Sequence, residues 1–131
     1  MFRQRVLLLE NDAVLEAVLC DFFADEDLEV SLCATLAELQ ACVVQYPRAV
    51  VVSDSWKSSD YRSLSPLHRA EIVELAQSAE VILTTGSEWA RLSGKGEFGT
   101  AQIVEKPYDL ERLIAAVRAA LEQASYGRVG L

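Results

Sequence analysis

AVVVSD, residues 49–54, holds four apolar residues in a row, three of them valine, and closes on a carboxylate. A run this short is strand-sized, and β-branched residues fit a pleated surface better than a helix. It shows no polar alternation, which is the pattern of a strand covered on both faces in a parallel sheet. Two further runs, Val6-Leu-Leu-Leu9 and Val81-Ile-Leu83, share this unbroken apolar character. Residues 28–32 (Leu-Glu-Val-Ser-Leu) and 100–104 (Thr-Ala-Gln-Ile-Val) alternate instead, as strands at a sheet edge do.

Helical periodicity fills the intervals. Val14, Leu15, Val18, Leu19, Phe22 and Phe23 form one stripe at three- and four-residue spacing. Thr35-Leu-Ala-Glu38 is a capping box that opens a second helix with Leu36, Leu39 and Val43 on its inner face. Ser65-Pro66 starts a third, with proline at the first helical position. A last helix runs from Asp109 with Leu110, Leu113, Ile114, Val117 and Leu121 along one side. Residues 87–92 suit a short helix, and Gly94, Gly96 and Gly99 loosen the stretch after it. Five successive strand–helix units predict an α/β fold of the doubly wound, flavodoxin-like (βα)5 type. Its five-stranded parallel sheet has the order 2-1-3-4-5, with the two alternating strands at the edges.

Ligands of such sheets sit beyond the carboxyl ends of the strands. Four polar points lie there: Glu10-Asn11-Asp12 after the first strand, Asp54 after the third, Thr85 after the fourth and Lys106 after the fifth. A carboxylate, a hydroxyl and an ammonium that meet at one spot suit a small anion or a phosphoryl group. Each residue has a plainer reading in isolation. Aspartate after a strand is a common turn or cap residue, and a lysine is usually surface. Pro107 restricts Lys106 to extended backbone and so holds it at the sheet's end. Their coincidence outweighs the separate readings.

The totals bound the class. With 131 residues, 51% of them hydrophobic, the chain is expected to form one domain over 1–131 with its core at about 4–123. A net charge of −8 is wrong for a phosphate backbone, so no nucleic-acid partner is expected. The apolar run in MFRQRVLLLE meets Glu10 too early for a signal sequence or membrane span, so no membrane partner is expected either. Cys20, Cys33 and Cys42 are odd in number and lack metal-ligand spacing; they read as reduced core residues of a cytoplasmic protein, with a regulatory thiol as the other reading.

VLLLEND (6–12), AVVVSD (49–54), VILTTG (81–86) and IVEKPYDLERL (103–113) together resemble the receiver domains of two-component response regulators. The resemblance implies that Asp54 is the phosphoacceptor and that Thr85 and Lys106 contact the phosphoryl group. It further implies that Glu10, Asn11, Asp54 and the carbonyl of Trp56 surround Mg²⁺. The implied partner is a histidine kinase or a histidine phosphotransfer protein, docked over Val14 and Leu15 and the Pro107-Tyr108 turn. Three departures qualify it. Asn11 stands where the family carries a second acid, which implies weakly held Mg²⁺. Ile103 replaces an aromatic residue, and Ser55-Trp-Lys-Ser-Ser-Asp-Tyr61 lacks the family's usual loop signals.

Three functional classes compete. The first is a phosphoacceptor in a phosphorelay that signals by altered protein–protein binding. The second is a degenerate receiver that binds proteins without phosphorylation. An enzyme of like topology is the third, and it is not expected. A phosphatase of the haloacid-dehalogenase type wants an aspartate where Trp56 stands, and a dinucleotide or flavin site wants glycines where Glu10-Asn-Asp12 stands. His68, the single histidine, is expected in the third helix away from the strand ends.

Overall fold

The computed structural model describes residues 4–54, 66–85, 100–106 and 109–127. Five strands, β1 (Arg5–Leu9), β2 (Glu29–Leu32), β3 (Val50–Asp54), β4 (Glu80–Thr85) and β5 (Gln102–Glu105), form one sheet in the order β2-β1-β3-β4-β5. Every pairing is parallel. The flavodoxin-like expectation holds, and β2 and β5 are the edges. Four described helices accompany them: α1 (Ala13–Asp25), α2 (Leu36–Gln45), α3 (Pro66–Ser78) and α4 (Leu110–Gly127). The helix expected at 87–92 lies outside the described residues.

Side-chain alternation along the strands sorts the core into two layers. Val6 and Leu8 of β1, Val50 and Val52 of β3, Ile82 and Val104 pack with Leu19 and Phe23 of α1 and Leu113 and Val117 of α4. Leu7, Leu9, Val51 and Val81 face the opposite way and pack with Leu39 and Val43 of α2 and Leu75 and Ala76 of α3. β1, β3 and β4 are covered on both faces, which is why their sequences never alternate.

The helix ends obey local chemistry. Asp12 caps α1: its Oδ1 accepts from the amides of Val14 (2.9 Å) and Leu15 (3.1 Å). Thr35 Oγ1 accepts from Glu38 N at 3.1 Å, and Glu38 Oε2 accepts from the Ala34 amide at 2.7 Å, so the capping box reaches one residue further back than its usual form. Asp109 Oδ1 accepts from Arg112 N at 2.7 Å and starts α4.

The stripe on α1 departs from expectation. Leu19 and Phe23 are buried and Leu15 and Phe22 pack partly against the core, whereas Val14 is 76% and Val18 44% exposed. Six apolar residues span more of the helix circumference than one sheet face can cover, so the outer two stay in water. Strand limits also shift by one or two residues, the usual fraying of such boundaries.

Candidate functional site

Strand parity decides which polar groups meet. Glu10 continues the Val6-Leu8 side of β1, Asp54 the Val50-Val52 side of β3, and Lys106 the Val104 side of β5. All three therefore project toward the layer of α1 and α4. Lys106 Nζ lies 3.1 Å from Glu10 Oε1 and 3.4 Å from Glu10 Oε2. The same nitrogen lies 3.4 Å from Asp54 Oδ2. The Glu10 side chain is only 1% exposed, against 17% for Asp54 and 24% for Lys106. A backbone donor completes Glu10: the Asp12 amide donates to Oε2 at 3.0 Å. Lys106 is held from behind, because its own amide donates to the Thr85 carbonyl at 2.8 Å and extends the β4–β5 ladder by one bond. One ammonium thus bridges two carboxylates whose chain positions are far apart. At such distances each pair is worth on the order of 4 kcal/mol before desolvation, at an effective dielectric near 20.

Asn11 falls on the other side. It is exposed, and with Leu9, Thr35, Leu36, Leu67 and His68 it lines a cavity of about 400 Å³ between the starts of α2 and α3. Glu10 and Asn11 are neighbours in sequence but do not act as a side-by-side pair. His68 borders this same cavity near the end of β1, so it lies closer to the strand ends than its place in the third helix suggests.

Thr85 is buried at the end of β4. The register sets a different threonine directly opposite the acceptor position, because Asp54 pairs with Thr84. Thr84 lies on the Asp54 side of the pleat, 1% exposed, and its Oγ1 donates to the Ser53 carbonyl at 3.4 Å. Ser53, fully buried, donates from Oγ to the Asp54 carbonyl at 2.8 Å. These hydroxyls brace the backbone that presents Asp54. Sequence reasoning passed over both; the signal was two polar residues inside otherwise apolar strand runs.

Glu10 and Asp54 offer the hard carboxylate oxygens that Mg²⁺ takes. Both already face the Lys106 ammonium, and among the described residues no three His, Cys, Asp or Glu side chains converge on a metal position. The donor set suits Mg²⁺ in kind and is short of charge. Trp56, Pro107 and Tyr108, read from the sequence as metal and partner residues, lie outside the described residues. Of the partner surface, Val14 stands free in solvent while Leu15 is half-buried against the core.

No protein-family model and no curated protein matches the chain. Solved structures do. The signal receiver domain of an HD domain-containing protein from Pseudomonas fluorescens Pf-5 superposes with a TM-score of 0.77 at 22% identity, covering 100% of this chain and 96% of that one. Full-length FixJ from B. japonicum gives 0.73 at 21% identity, over 97% of this chain and 62% of its own length. A protein described as adenylate cyclase from Rhodopirellula baltica gives 0.72 at 19% identity, over 95% and 91%. At these identities the likeness is one of fold, and it agrees with the strand order: the chain has the receiver-domain fold of the response regulators.

Proposed function

We propose that this domain accepts a phosphoryl group on Asp54 from the phosphohistidine of a histidine kinase or histidine phosphotransfer protein, and signals by a change in the surface it offers to other proteins. The carrying observation is the Lys106 ammonium 3.4 Å from Asp54 Oδ2 at the carboxyl edge of a receiver-type sheet. In the transfer an Asp54 oxygen attacks phosphorus, the bond from phosphorus to imidazole nitrogen breaks, and the imidazole, already protonated on its other nitrogen, takes the bonding pair and leaves as a neutral base. Negative charge spreads over the equatorial oxygens as this happens, so the work of the site is positioning and neutralisation. Lys106 supplies one positive charge for it. Mg²⁺, held by Glu10 and Asp54, supplies further neutralisation when bound.

Thr84 is the hydroxyl on the acceptor's side of the pleat, and we assign it a part in holding the phosphoryl oxygens alongside Thr85. Val14, exposed on α1, marks the partner surface, to which we also assign Pro107 and Tyr108. Among the described residues no helix is long and apolar enough to cross a membrane, and the net charge is −8. Both suit a cytoplasmic partner protein with a basic or apolar docking face.

Incubation with a small phosphodonor and Mg²⁺, followed by intact mass, tests the proposal. One added phosphoryl group that Asp54→Asn abolishes is the expected outcome. An unchanged mass at high Mg²⁺ favours the second reading, a degenerate receiver that works by protein binding alone. That reading draws on the exposed, uncharged Asn11 and on Glu10 being already engaged by Lys106. The metal is tested separately. Asn11→Asp adds a carboxylate next to Glu10 in sequence but on the opposite side of the strand, so it acts on the Glu10–Asp54 pair only through space and should tighten Mg²⁺ binding by less than about tenfold in calorimetric titration. Equal affinity in both proteins would show that Asn11 is not the missing charge.

A further inference from the structure

Cys33 and Cys42 share one side of the sheet. Cys33 follows β2, is 3% exposed, and is pinned by its amide, which donates to the Leu8 carbonyl at 2.8 Å. Cys42 lies on α2 and packs, partly buried, against the same group of side chains: Leu7, Leu9, Leu39 and Val43 with Cys33 itself. Both thiols are free. Burial pushes the Cys33 thiol pKa up to about 12, and a side-chain hydrogen bond with Cys42 pushes it the same way. Cys20 sits on α1 and packs into the opposite layer, so the sheet separates it from the other two. The chain between the pair is the start of α2 with its Thr35 cap, a short segment beside an edge strand that local opening can expose.

We propose that Cys33 and Cys42 are a reversible redox site, closing to an intramolecular disulfide on exposure to a hydroperoxide and pinning α2 to the end of β2. Cys42 is the more exposed sulfur and reacts first. Its thiolate attacks one peroxide oxygen, the O–O bond breaks, and a sulfenic acid forms with release of an alcohol, or of water from hydrogen peroxide. Cys33 then attacks that sulfur, an S–S bond forms, and the sulfenic oxygen departs with the Cys33 proton as a second water. Two thiols lose two electrons in all and one peroxide gains them. A thiol reductant reverses the step by exchange. Protein in a reducing compartment therefore stays in the dithiol form seen here, and the site responds to oxidant independently of Asp54.

The test treats the whole chain with hydrogen peroxide and counts thiols after denaturation. Two of the three thiols should disappear, the mass should fall by two hydrogen atoms, and dithiothreitol should restore both. Non-reducing peptide mapping should join the Cys33 and Cys42 peptides, in Cys20→Ser as in the parent. Cys42→Ser should form no intramolecular disulfide. The oxidised protein should melt roughly 5–10 °C higher, as closure of so short a loop predicts. Three thiols still titratable at an oxidant level that sulfenylates a small-molecule thiol, a disulfide that includes Cys20, or loss of the folded circular-dichroism spectrum on oxidation would each overturn the proposal.

Discussion

Removing the Lys106 ammonium would leave Glu10, with a side chain 1% exposed, as an uncompensated buried carboxylate. A partner lost from a buried pair costs more than the pair contributes. Lys106→Met should therefore destabilise the domain by about 2–3 kcal/mol in urea unfolding at neutral pH, the partial exposure of Lys106 keeping the loss below that of a fully buried pair. Glu10→Gln in the same chain should restore at least about 1 kcal/mol. Strictly additive losses in that cycle would mean that the two groups are not coupled. The threonines separate as cleanly. Thr84→Ala should slow phosphorylation of Asp54 by roughly tenfold or more, as removal of a hydroxyl that turns from the Ser53 carbonyl to the developing charge does. Thr84→Ser should stay near the parent, and Thr85→Ala should change the rate less. A larger effect at Thr85 would show that strand-end position outweighs pleat side. The identities of Glu10, Asp54 and Lys106 were readable from the sequence because each stands within two residues of the carboxyl end of an apolar run. Their mutual contact was not, and neither was the turning away of Asn11, because both result from a pairing register that no local pattern contains.

α1 is the element on which pattern and packing part company. Periodicity marks six apolar positions and cannot say which of them the sheet covers; the answer depends on how far the helix is rotated over β1 and β3. In the structure Leu15 faces inward and Val14 outward. Val14→Glu should leave stability within about 0.5 kcal/mol, as exposed substitutions do, and weaken docking of a histidine kinase or phosphotransfer partner. Leu15→Glu should cost about 1–3 kcal/mol, because it forces a charge against the core. Thermal melts of the two variants beside a pull-down with the partner distinguish surface from core. Equal destabilisation by both would mean that Val14 is also a packing residue. The strands were easier. Unbroken apolar runs in β1, β3 and β4 and alternating ones in β2 and β5 correspond directly to two covered faces or one, so the edge strands of the sheet could be read from the apolar pattern.

Over the whole molecule, charge and topology divide the functional question between them. A net charge of −8 narrows the kinds of partner, and the carboxyl edge of the sheet says where the chemistry sits. β1 pairs with β2 on one side and with β3 on the other, Val6 meeting Val50 from far along the chain. Contacts this distant in sequence are slow to form, since a long loop must close before they contribute. A ribosome releases Leu7, Leu8 and Leu9 well before Val50, so the nascent chain carries an apolar strand with one edge open until β3 arrives. That open edge is a template for pairing with another chain. Slower synthesis at constant temperature lengthens the interval, and recovery of soluble protein should depend on holdase chaperones more than the final stability of the sheet would suggest. The strand most thoroughly hidden at the end is the one that waits longest uncovered at the beginning.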